Sequence, residues 1–167
     1  MAGSSLRVRA AVATDVPALL ALMQHLAKFE GYATDFAVTK ETLRAQGFTR
    51  EPPDFHALLA EDPGAQSEPL GMLVYYIIPF TFRARPTLFI KELYVAESAR
   101  SRGAGEALMR AAARDAFSLD CATIKWQVAD WNASARRFYE RLGAIADPVW
   151  IDYALSESAL RKLADER

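Results

Sequence analysis

One stretch of the chain decides the fold: residues 92–108 read ELYVAESARSRGAGEAL. Leu93 and Val95 are apolar strand positions, Gly103 and Gly105 follow in a turn, and an apolar helical pattern begins behind them. Glycine lets the backbone bend tightly and approach a ligand closely because it has no Cβ. The free N–H groups of a helix start favour phosphate. The stretch predicts a phosphate-binding turn, and the alternative is a plain helix start with two solvated arginines.

Spacing excludes two other nucleotide-binding motifs. The chain contains no GxxxxGK[ST] sequence, so a Walker-A loop is not expected. It contains no GxGxxG sequence either, so the dinucleotide fingerprint is absent.

Periodicity and turn residues place the other elements around this stretch. Thr14, Asn132 and Gly143 mark two helix starts and one helix end, as N-caps and a left-handed cap. The predicted order is β-α-α-β-β-β-α-β-α-β, an α/β or α+β fold in one domain over residues 1–167. The predicted strands are 6–10, 56–61, 71–80, 88–95, 122–129 and 149–155, and the helices include 14–31, 39–47 and a terminal one at 156–167.

Composition and charge exclude several classes of protein. The 167 residues are 51% hydrophobic and 25% charged with a net charge of −1, which is globular and argues against coating nucleic acid or an anionic membrane. One cysteine, Cys121, and two histidines, His25 and His56, argue against a disulfide scaffold or zinc site. The N-terminus lacks a signal-peptide core, and no apolar run approaches membrane-spanning length. We expect a soluble cytoplasmic protein without a metal.

Two motifs carry a resemblance to a known family. Residues 100–105 (RSRGAG), directly after a strand, resemble the acetyl-CoA signature of the GNAT family of N-acetyltransferases. Residues 130–132 (DWN) and 137–144 (RFYERLGA) resemble the next strand–helix unit of that family. Residues 26–30 (LAKFE) and Trp150 are similar to its spermidine/spermine N-acetyltransferase-like branch. The resemblance extends over about residues 6–163.

The resemblance implies an enzyme that uses acetyl-CoA as co-substrate. It also implies a mixed sheet that splays open between the strand ending at Val95 and the strand ending at Ala129, with the cofactor arm in the gap. Amides between Ser101 and Glu106 would bind the pyrophosphate. The cofactor-binding residues implied in this way are Leu93, Tyr94, Val95, Arg100, Ser101, Arg102, Gly103, Ala104, Gly105, Glu106, Asn132 and Ala135.

Two residues are candidates for the proton transfers. Tyr139 lies seven residues after Asn132, two helical turns on, and the resemblance implies that it protonates the leaving thiolate; a core aromatic is the alternative. The resemblance to the spermidine/spermine N-acetyltransferase-like branch aligns the glutamate that this branch has near the amine with Lys91. It aligns the neighbouring aspartate of the branch with Glu92. Because adjacent strand residues face opposite sides, Glu92 replaces the glutamate as base only if a bulge rotates it. Water or bulk solvent is the alternative base.

Substrate-binding candidates are Phe29, Glu30, Arg83 and Trp150, together with Glu92. Arg83, Arg85 and Lys91 would repel a polyamine but would bind a carboxylate, unless they lie on a solvated loop. We therefore expect a small primary amine of lysine or thialysine type, ahead of a di- or polyamine. The alternatives are a protein or peptide acceptor and a non-catalytic acyl-CoA sensor. The segments 147–155 and 73–78 predict a homodimer interface, or core strands.

Overall fold

The computed structural model describes residues 6–64, 68–79 and 82–165. Its contacts divide the chain into two compact units, the first ending at Gln127 and the second beginning at Val128.

The first unit contains a mixed five-stranded sheet with its strands in sequence order. Strands β1 to β4 are antiparallel to their neighbours, and β5 is parallel to β4. The strands are β1 Arg7–Ala10, β2 His56–Glu61, β3 Gly71–Ile78, β4 Thr87–Val95 and β5 Thr123–Trp126. Five of the six predicted strands are therefore confirmed, although β5 is shorter than predicted and Phe80 lies outside the described residues.

Three α-helices accompany this sheet and two lie in the second unit. They are α1 Val16–Glu30, α2 Lys40–Arg44, α3 Ala104–Ser118, α4 Ala133–Arg141 and α5 Glu157–Asp165. A π-helical turn, Ala45–Thr49, prolongs α2, and 3-10 turns occupy Ala13–Asp15 and Glu97–Ala99.

The start of α1 differs from the prediction that Thr14 is its N-cap. Thr14 lies inside a 3-10 turn, and α1 begins two residues later. The Asp15 carboxylate fixes this turn by accepting a hydrogen bond from the Val12 N–H at 2.8 Å and by pairing with Arg9 at 2.6 Å. Arg9 also pairs with Glu61 on β2 at 2.5 Å. The start of this helical segment is therefore fixed by the ion pair between Asp15 and Arg9 of β1, in place of the predicted cap by the Thr14 side chain.

The sheet separates two apolar layers because successive strand residues face opposite sides. On one side, Met72 and Val74 of β3 join α1 residues such as Leu19 and Leu22 in a buried cluster. On the other side, Tyr75 donates a hydrogen bond to Asp115 of α3 at 2.9 Å. Helices therefore cover both faces of β3, and its residues Leu73 to Tyr75 are core residues.

A β-bulge in β4 changes which side its residues face. Val74 pairs with Glu92, whereas the next residue, Tyr75, pairs with Ile90, so Lys91 is the extra residue of the bulge. Directly paired residues share a face of the sheet. Glu92 consequently faces α1 with Val74, and Ile90 faces α3 with Tyr75. The bulge required for Glu92 to change face is present.

The pairing between β4 and β5 stops before β4 ends. The last paired residues are Ile90 and Trp126, while β4 continues to Val95. From Lys91 onward, no strand in the described part of the chain pairs with that side of β4. The predicted opening of the sheet beside the strand that ends at Val95 requires a free edge of this kind.

The second unit corrects one predicted element. Asn132 caps α4 as predicted, accepting a hydrogen bond from the Ala135 N–H at 3.1 Å, and Gly143 has the predicted left-handed φ of 87°. Residues 149–155, however, form no strand. Their alternating apolar pattern is typical of a strand, but a strand also needs a hydrogen-bonded neighbour, and the described residues supply none there. The segment is an exposed apolar stretch, with Trp150 77% exposed.

Candidate active site

The turn before α3 exposes a set of backbone donors. Ser101 and Gly103 both have left-handed φ angles, 66° and 84°. Gly103 is the N-cap of α3 and has no side chain to accept from the first turn, and the first helical bond runs from the Ala107 N–H to the Gly103 carbonyl. The N–H groups of residues 104–106 are left to bind an anion. Gly105, predicted to lie in the turn, is the second residue of α3.

The charged side chains of this turn have partners within the protein. Arg100 donates to the Val95 carbonyl at 3.3 Å, and its guanidinium lies 5.2 Å from the centre of the Phe29 ring. Arg102 pairs with Asp62 at 2.7 Å. Glu106 accepts from Arg110, one turn along α3, at 2.6 Å. The backbone, more than these side chains, is therefore oriented for a phosphate group.

Leu93, Tyr94 and Val95 form the end of β4, which pairs with β3 on one side and lies beyond the last β5 pair on the other. Tyr94 pairs with Met72 and packs against the α1 side of the core, where its ring lies 6.1 Å from that of His25. The side chain of Tyr94 is therefore occupied by packing. What remains for a ligand at this edge is the backbone.

The Glu92 carboxylate is the most unusual group of the first unit. Its Oε2 is buried and accepts no hydrogen bond from any described residue. Burial raises the pKa of Glu92; the Lys91 charge opposes this shift and the Glu30 charge adds to it. A buried carboxylate oxygen without a donor is costly, and a bound cation relieves that cost.

Glu92 belongs to a cluster of acidic and aromatic side chains. Partial burial raises the pKa of Glu30, opposed by Lys91. Burial, together with the charges of Glu92 and Glu30, raises the pKa of Tyr32 to about 12. Burial and Glu92 also raise the pKa of Tyr76, whose ring is stacked at 5.8 Å on Phe89. Two carboxylates flanked by phenol rings favour a positively charged ligand.

Sequence reasoning missed Tyr32 and Tyr76. Tyr32 follows α1 and Tyr76 lies on β3, so only the fold brings them to Glu92. Tyr76 belongs to the apolar run 71–78, which the sequence assigns to a buried strand. Tyr76 lies two residues beyond Val74 and so shares its face of the sheet. The sequence could place Tyr76 near Glu92 only if it also revealed the bulge opposite Val74, which turns Glu92 to that face.

The three cationic residues predicted to lie near the acceptor, Arg83, Arg85 and Lys91, have different surroundings in the structure. Lys91 lies beside the acidic cluster, since its charge lowers the pKa of both Glu30 and Glu92. Arg85 pairs with Asp120 at 2.6 Å and donates to the Cys121 carbonyl, which fixes the turn between α3 and β5. The Arg83 guanidinium lies 5.4 Å from the Phe82 ring.

The remaining predicted residues lie in the second unit. The Asn132 side chain is used as the cap of α4, and Ala135 supplies the N–H that it binds. Tyr139 is half-buried, with its ring 5.2 Å from that of Phe138. Trp150 lies in the exposed segment after α4.

The part of the chain that the structure describes contains neither a metal-binding cluster nor a membrane-spanning helix. No group of three or more His, Cys, Asp or Glu side chains there is arranged to hold a metal ion. Among the same residues, no helix has the length and apolar character needed to cross a membrane.

The family model for the acetyltransferase (GNAT) family matches residues 19–144. Thialysine N-epsilon-acetyltransferase of Mus musculus is 32% identical over 96% of this chain and 98% of its own. The human spermidine/spermine N(1)-acetyltransferase-like protein 1 is 26% identical over 83% of this chain and 20% of its own. An integron cassette protein from the V. cholerae mobile metagenome superimposes with a TM-score of 0.79 at 24% identity, covering 98% of this chain and 100% of its own.

The chain belongs to the GNAT family of acetyltransferases, in the branch that its motifs predicted. It is an N-acetyltransferase: it transfers acetyl to an amine, with acetyl-CoA as the co-substrate that this family uses.

Proposed function

We propose that the acceptor is the primary amine of a small molecule, an amino acid of lysine or thialysine type ahead of a di- or polyamine. The carrying observation is the buried Glu92 Oε2, which has no donor among the described residues and faces α1 within the acidic cluster. An ammonium group supplies both the charge and the hydrogen-bond donors that this oxygen lacks. Phe29, Glu30 and Trp150 would contact the remainder of the acceptor.

The turn before α3 fits the pyrophosphate of acetyl-CoA. The uncapped N–H groups of Ala104, Gly105 and Glu106 support this assignment, as do the left-handed angles of Ser101 and Gly103. Leu93 and Val95 would bind the pantetheine arm through the free backbone edge of β4. Arg100, Arg102, Tyr94, Asn132 and Ala135 complete the proposed cofactor-binding set. The co-substrate supplies an activated acetyl thioester.

Glu92 acts as the base in this proposal. Its raised pKa, caused by burial, lets it accept a proton from the bound ammonium more readily than an exposed carboxylate does. The neutral amine nitrogen then forms a bond to the thioester carbon, and the carbon–sulfur bond breaks. Tyr139 donates its phenolic proton to the departing sulfur, and the proton that the acetylated nitrogen then loses restores the phenol. Proton loss to water in place of Glu92 would leave kcat almost unchanged in Glu92→Gln.

The preference for an amino acid rests on Lys91 and Arg83. Lys91 lies beside Glu30 and Glu92. A cation next to an acidic pair repels a second ammonium group of a polyamine but attracts a carboxylate. Arg83 is a second carboxylate anchor in this proposal. The relative with 32% identity acts on thialysine, which carries both an amine and a carboxylate.

The test is release of CoA thiol from acetyl-CoA with spermidine, putrescine, lysine, thialysine, a small monoamine and a histone-tail peptide. We expect turnover with lysine or thialysine, and a fall in kcat of about 100-fold or more in Tyr139→Phe. Tyr75→Phe, at a tyrosine on the face of the sheet opposite to Glu92, is the matched control and is expected to keep the wild-type rate. A higher kcat/KM for spermidine would contradict the amino-acid preference. Turnover of the peptide alone, or CoA binding without any turnover, would contradict the small-molecule function.

We also propose that residues 1–167 act as a single acetyltransferase domain with its core at about residues 6–163, that the chain is a cytoplasmic homodimer, and that catalysis needs no metal. The exposed apolar stretch 149–155, with Tyr153 94% and Ile151 79% exposed, supports a second copy as its partner. Light scattering over a dilution series tests the dimer, and a monomer at every concentration would contradict it.

Cell fractionation tests the location, and a chelator that abolishes turnover would contradict metal independence.

A further inference from the structure

An aspartate outside every predicted site holds the proposed phosphate-binding turn. Asp62 follows β2 directly, at the turn to β3. Its Oδ2 accepts a hydrogen bond from Nη2 of Arg102 at 2.7 Å, and its Oδ1 accepts from the Gly64 N–H at 3.1 Å. The Asp62 side chain is only 13% exposed. This ion pair therefore joins the β2–β3 turn to a segment 40 residues away in sequence.

The segment that Asp62 holds is conformationally demanding. Arg102 lies between Ser101 and Gly103, which both have left-handed φ angles. Left-handed backbone is unfavourable for a residue that has a Cβ, so Ser101 keeps this angle only where neighbouring contacts enforce it. The backbone bond of Arg102, from its N–H to the Ala99 carbonyl, is long at 3.3 Å. The charged hydrogen bond to Asp62 ties the side chain of Arg102 to the β2–β3 turn.

We propose that Asp62 is a positioning residue for acetyl-CoA: through Arg102 it fixes the turn so that the N–H groups of residues 104–106 converge on the pyrophosphate. The inference rests on the proposed function, in which this turn binds that group. Asp62 neutralises Arg102 and directs its side chain to the β2–β3 turn. The anion is consequently bound by backbone dipoles that need no reorganisation when it arrives.

The test compares acetyl-CoA with acetyl-pantetheine, which has the same thioester but no pyrophosphate. We expect Asp62→Asn to raise the Kd and KM for acetyl-CoA about five- to tenfold, the scale of a lost charged hydrogen bond. The KM for acetyl-pantetheine and the kcat at saturation are expected to stay within about twofold. A merely structural role of Asp62 would change the KM of both donors.

Three variants establish that Asp62 acts through Arg102. Arg102→Gln should reproduce the loss of acetyl-CoA affinity, and the double variant should be no weaker than either single one. The exchanged pair, Asp62→Arg with Arg102→Asp, should recover most of the affinity. Asp54→Asn is the matched control, because it breaks another Arg–Asp pair, with Arg50, on the exposed turn after α2.

Several results would overturn the inference. Tighter acetyl-CoA binding in Asp62→Asn would mean that Asp62 competes with phosphate for Arg102. Equal losses with both donors, or fully additive losses in the double variant, would make Asp62 a general structural residue. If wild-type protein binds acetyl-CoA no more tightly than acetyl-pantetheine, the pyrophosphate site of the proposed function has failed. If Asp62→Asn unfolds, Arg102→Gln and the exchanged pair decide the question.

Discussion

The guanidinium of Arg100 lies over the ring of Phe29, with 5.2 Å between its central carbon and the ring centre. Arg100 belongs to the turn before α3, and Phe29 to the last turn of α1. The same arginine donates to the Val95 carbonyl at the end of β4. A residue proposed to contact the acceptor is thus in contact with one proposed to bind acetyl-CoA.

This contact predicts an effect of Phe29→Leu on both substrates. Leucine keeps apolar volume but removes the ring face, and a cation–π contact at an exposed site contributes about 0.5–1 kcal/mol. We expect the KM for acetyl-CoA to rise about two- to fivefold, in addition to any change in the KM of the amine. Initial rates with each substrate varied in turn measure both. Phe117→Leu, at an exposed aromatic residue of α3, is the control.

Glu92→Gln is expected to change how stability depends on pH. Burial raises the pKa of Glu92, so the folded protein holds this proton to a higher pH than the unfolded chain does. The contribution of Glu92 to wild-type stability therefore decreases as pH rises from about 4 through the raised pKa, and the glutamine variant lacks this decrease. Thermal unfolding between about pH 4 and pH 7 should show Glu92→Gln becoming progressively more stable relative to wild type. A constant difference across this range would contradict the prediction.

The activity of Glu92→Gln separates its two proposed roles. Loss of kcat with little change in the KM of the amine indicates the base, because only proton transfer is removed. A raised KM with kcat retained indicates binding of the ammonium group. Glu51→Gln, at an exposed glutamate outside the site, is the control for the substitution itself.

Much of the fold could be predicted because its signals are local. The short apolar stretch within 56–61, the apolar run of 71–78 and the cap at Asn132 each depend on neighbouring residues only. The strand predicted at 149–155 was wrong for the complementary reason: its composition is strand-like, but pairing depends on another segment of backbone. Thr14 likewise failed as a cap because Asp15 is bound by Arg9, six residues earlier.

The site could be predicted only in part, since charge and face depend on packing. The RxxGxG spacing located the turn before α3, and strand alternation showed that Glu92 needs a bulge to change face. No local pattern indicates that Lys91 is the bulged residue, nor that Tyr32 lies close enough for Glu92 to affect its pKa. Arg85 was grouped with Lys91 by sequence distance, whereas its partner Asp120 is 35 residues away.

Gly71→Ala is expected to damage the proposed cofactor edge through a steric clash. A Cβ on Gly71 would lie 2.8 Å from the Tyr94 carbonyl oxygen and 3.2 Å from the Val95 side chain. Because the closest atom is backbone, β4 must shift, at a cost of about 1–3 kcal/mol. Urea unfolding should show that loss of stability, accompanied by weaker acetyl-CoA binding. Unchanged affinity in a destabilised variant would contradict the assignment of this edge to the co-substrate.

Tyr75→Phe is expected to lower stability without affecting catalysis. The Tyr75 hydroxyl donates to Asp115 of α3 at 2.9 Å on the face of the sheet opposite to Glu92. Phenylalanine keeps the packing and loses the hydrogen bond, which costs about 1–2 kcal/mol when a carboxylate is the acceptor. Denaturant unfolding measures this loss, while kcat and both KM values should equal those of wild type. Altered kinetics would show that the two faces are coupled.

Arg9→Gln is expected to remove a pH-dependent contribution to the free energy of unfolding. The hydrogen bonds from Arg9 lower the pKa of Asp15, against a smaller opposing effect of burial. A carboxyl whose pKa is lower in the folded state stabilises the protein above its unfolded pKa, near 4, and loses that contribution as pH falls through the folded value.

At pH 7 we therefore expect Arg9→Gln to be less stable by about 1–3 kcal/mol, because Asp15 and Glu61 both lose their cation. The difference in stability between the two proteins should shrink as pH falls below about 4 and through the lowered pKa of Asp15, because the protonated carboxyl loses its attraction to Arg9. Denaturant unfolding at pH 7, 5 and about 3 follows this convergence. Asp15→Asn provides the matched test, because it removes the titrating group and keeps Arg9 paired with Glu61. A difference between wild type and Arg9→Gln that stays constant with pH would show that Arg9 contributes through packing of its aliphatic stem.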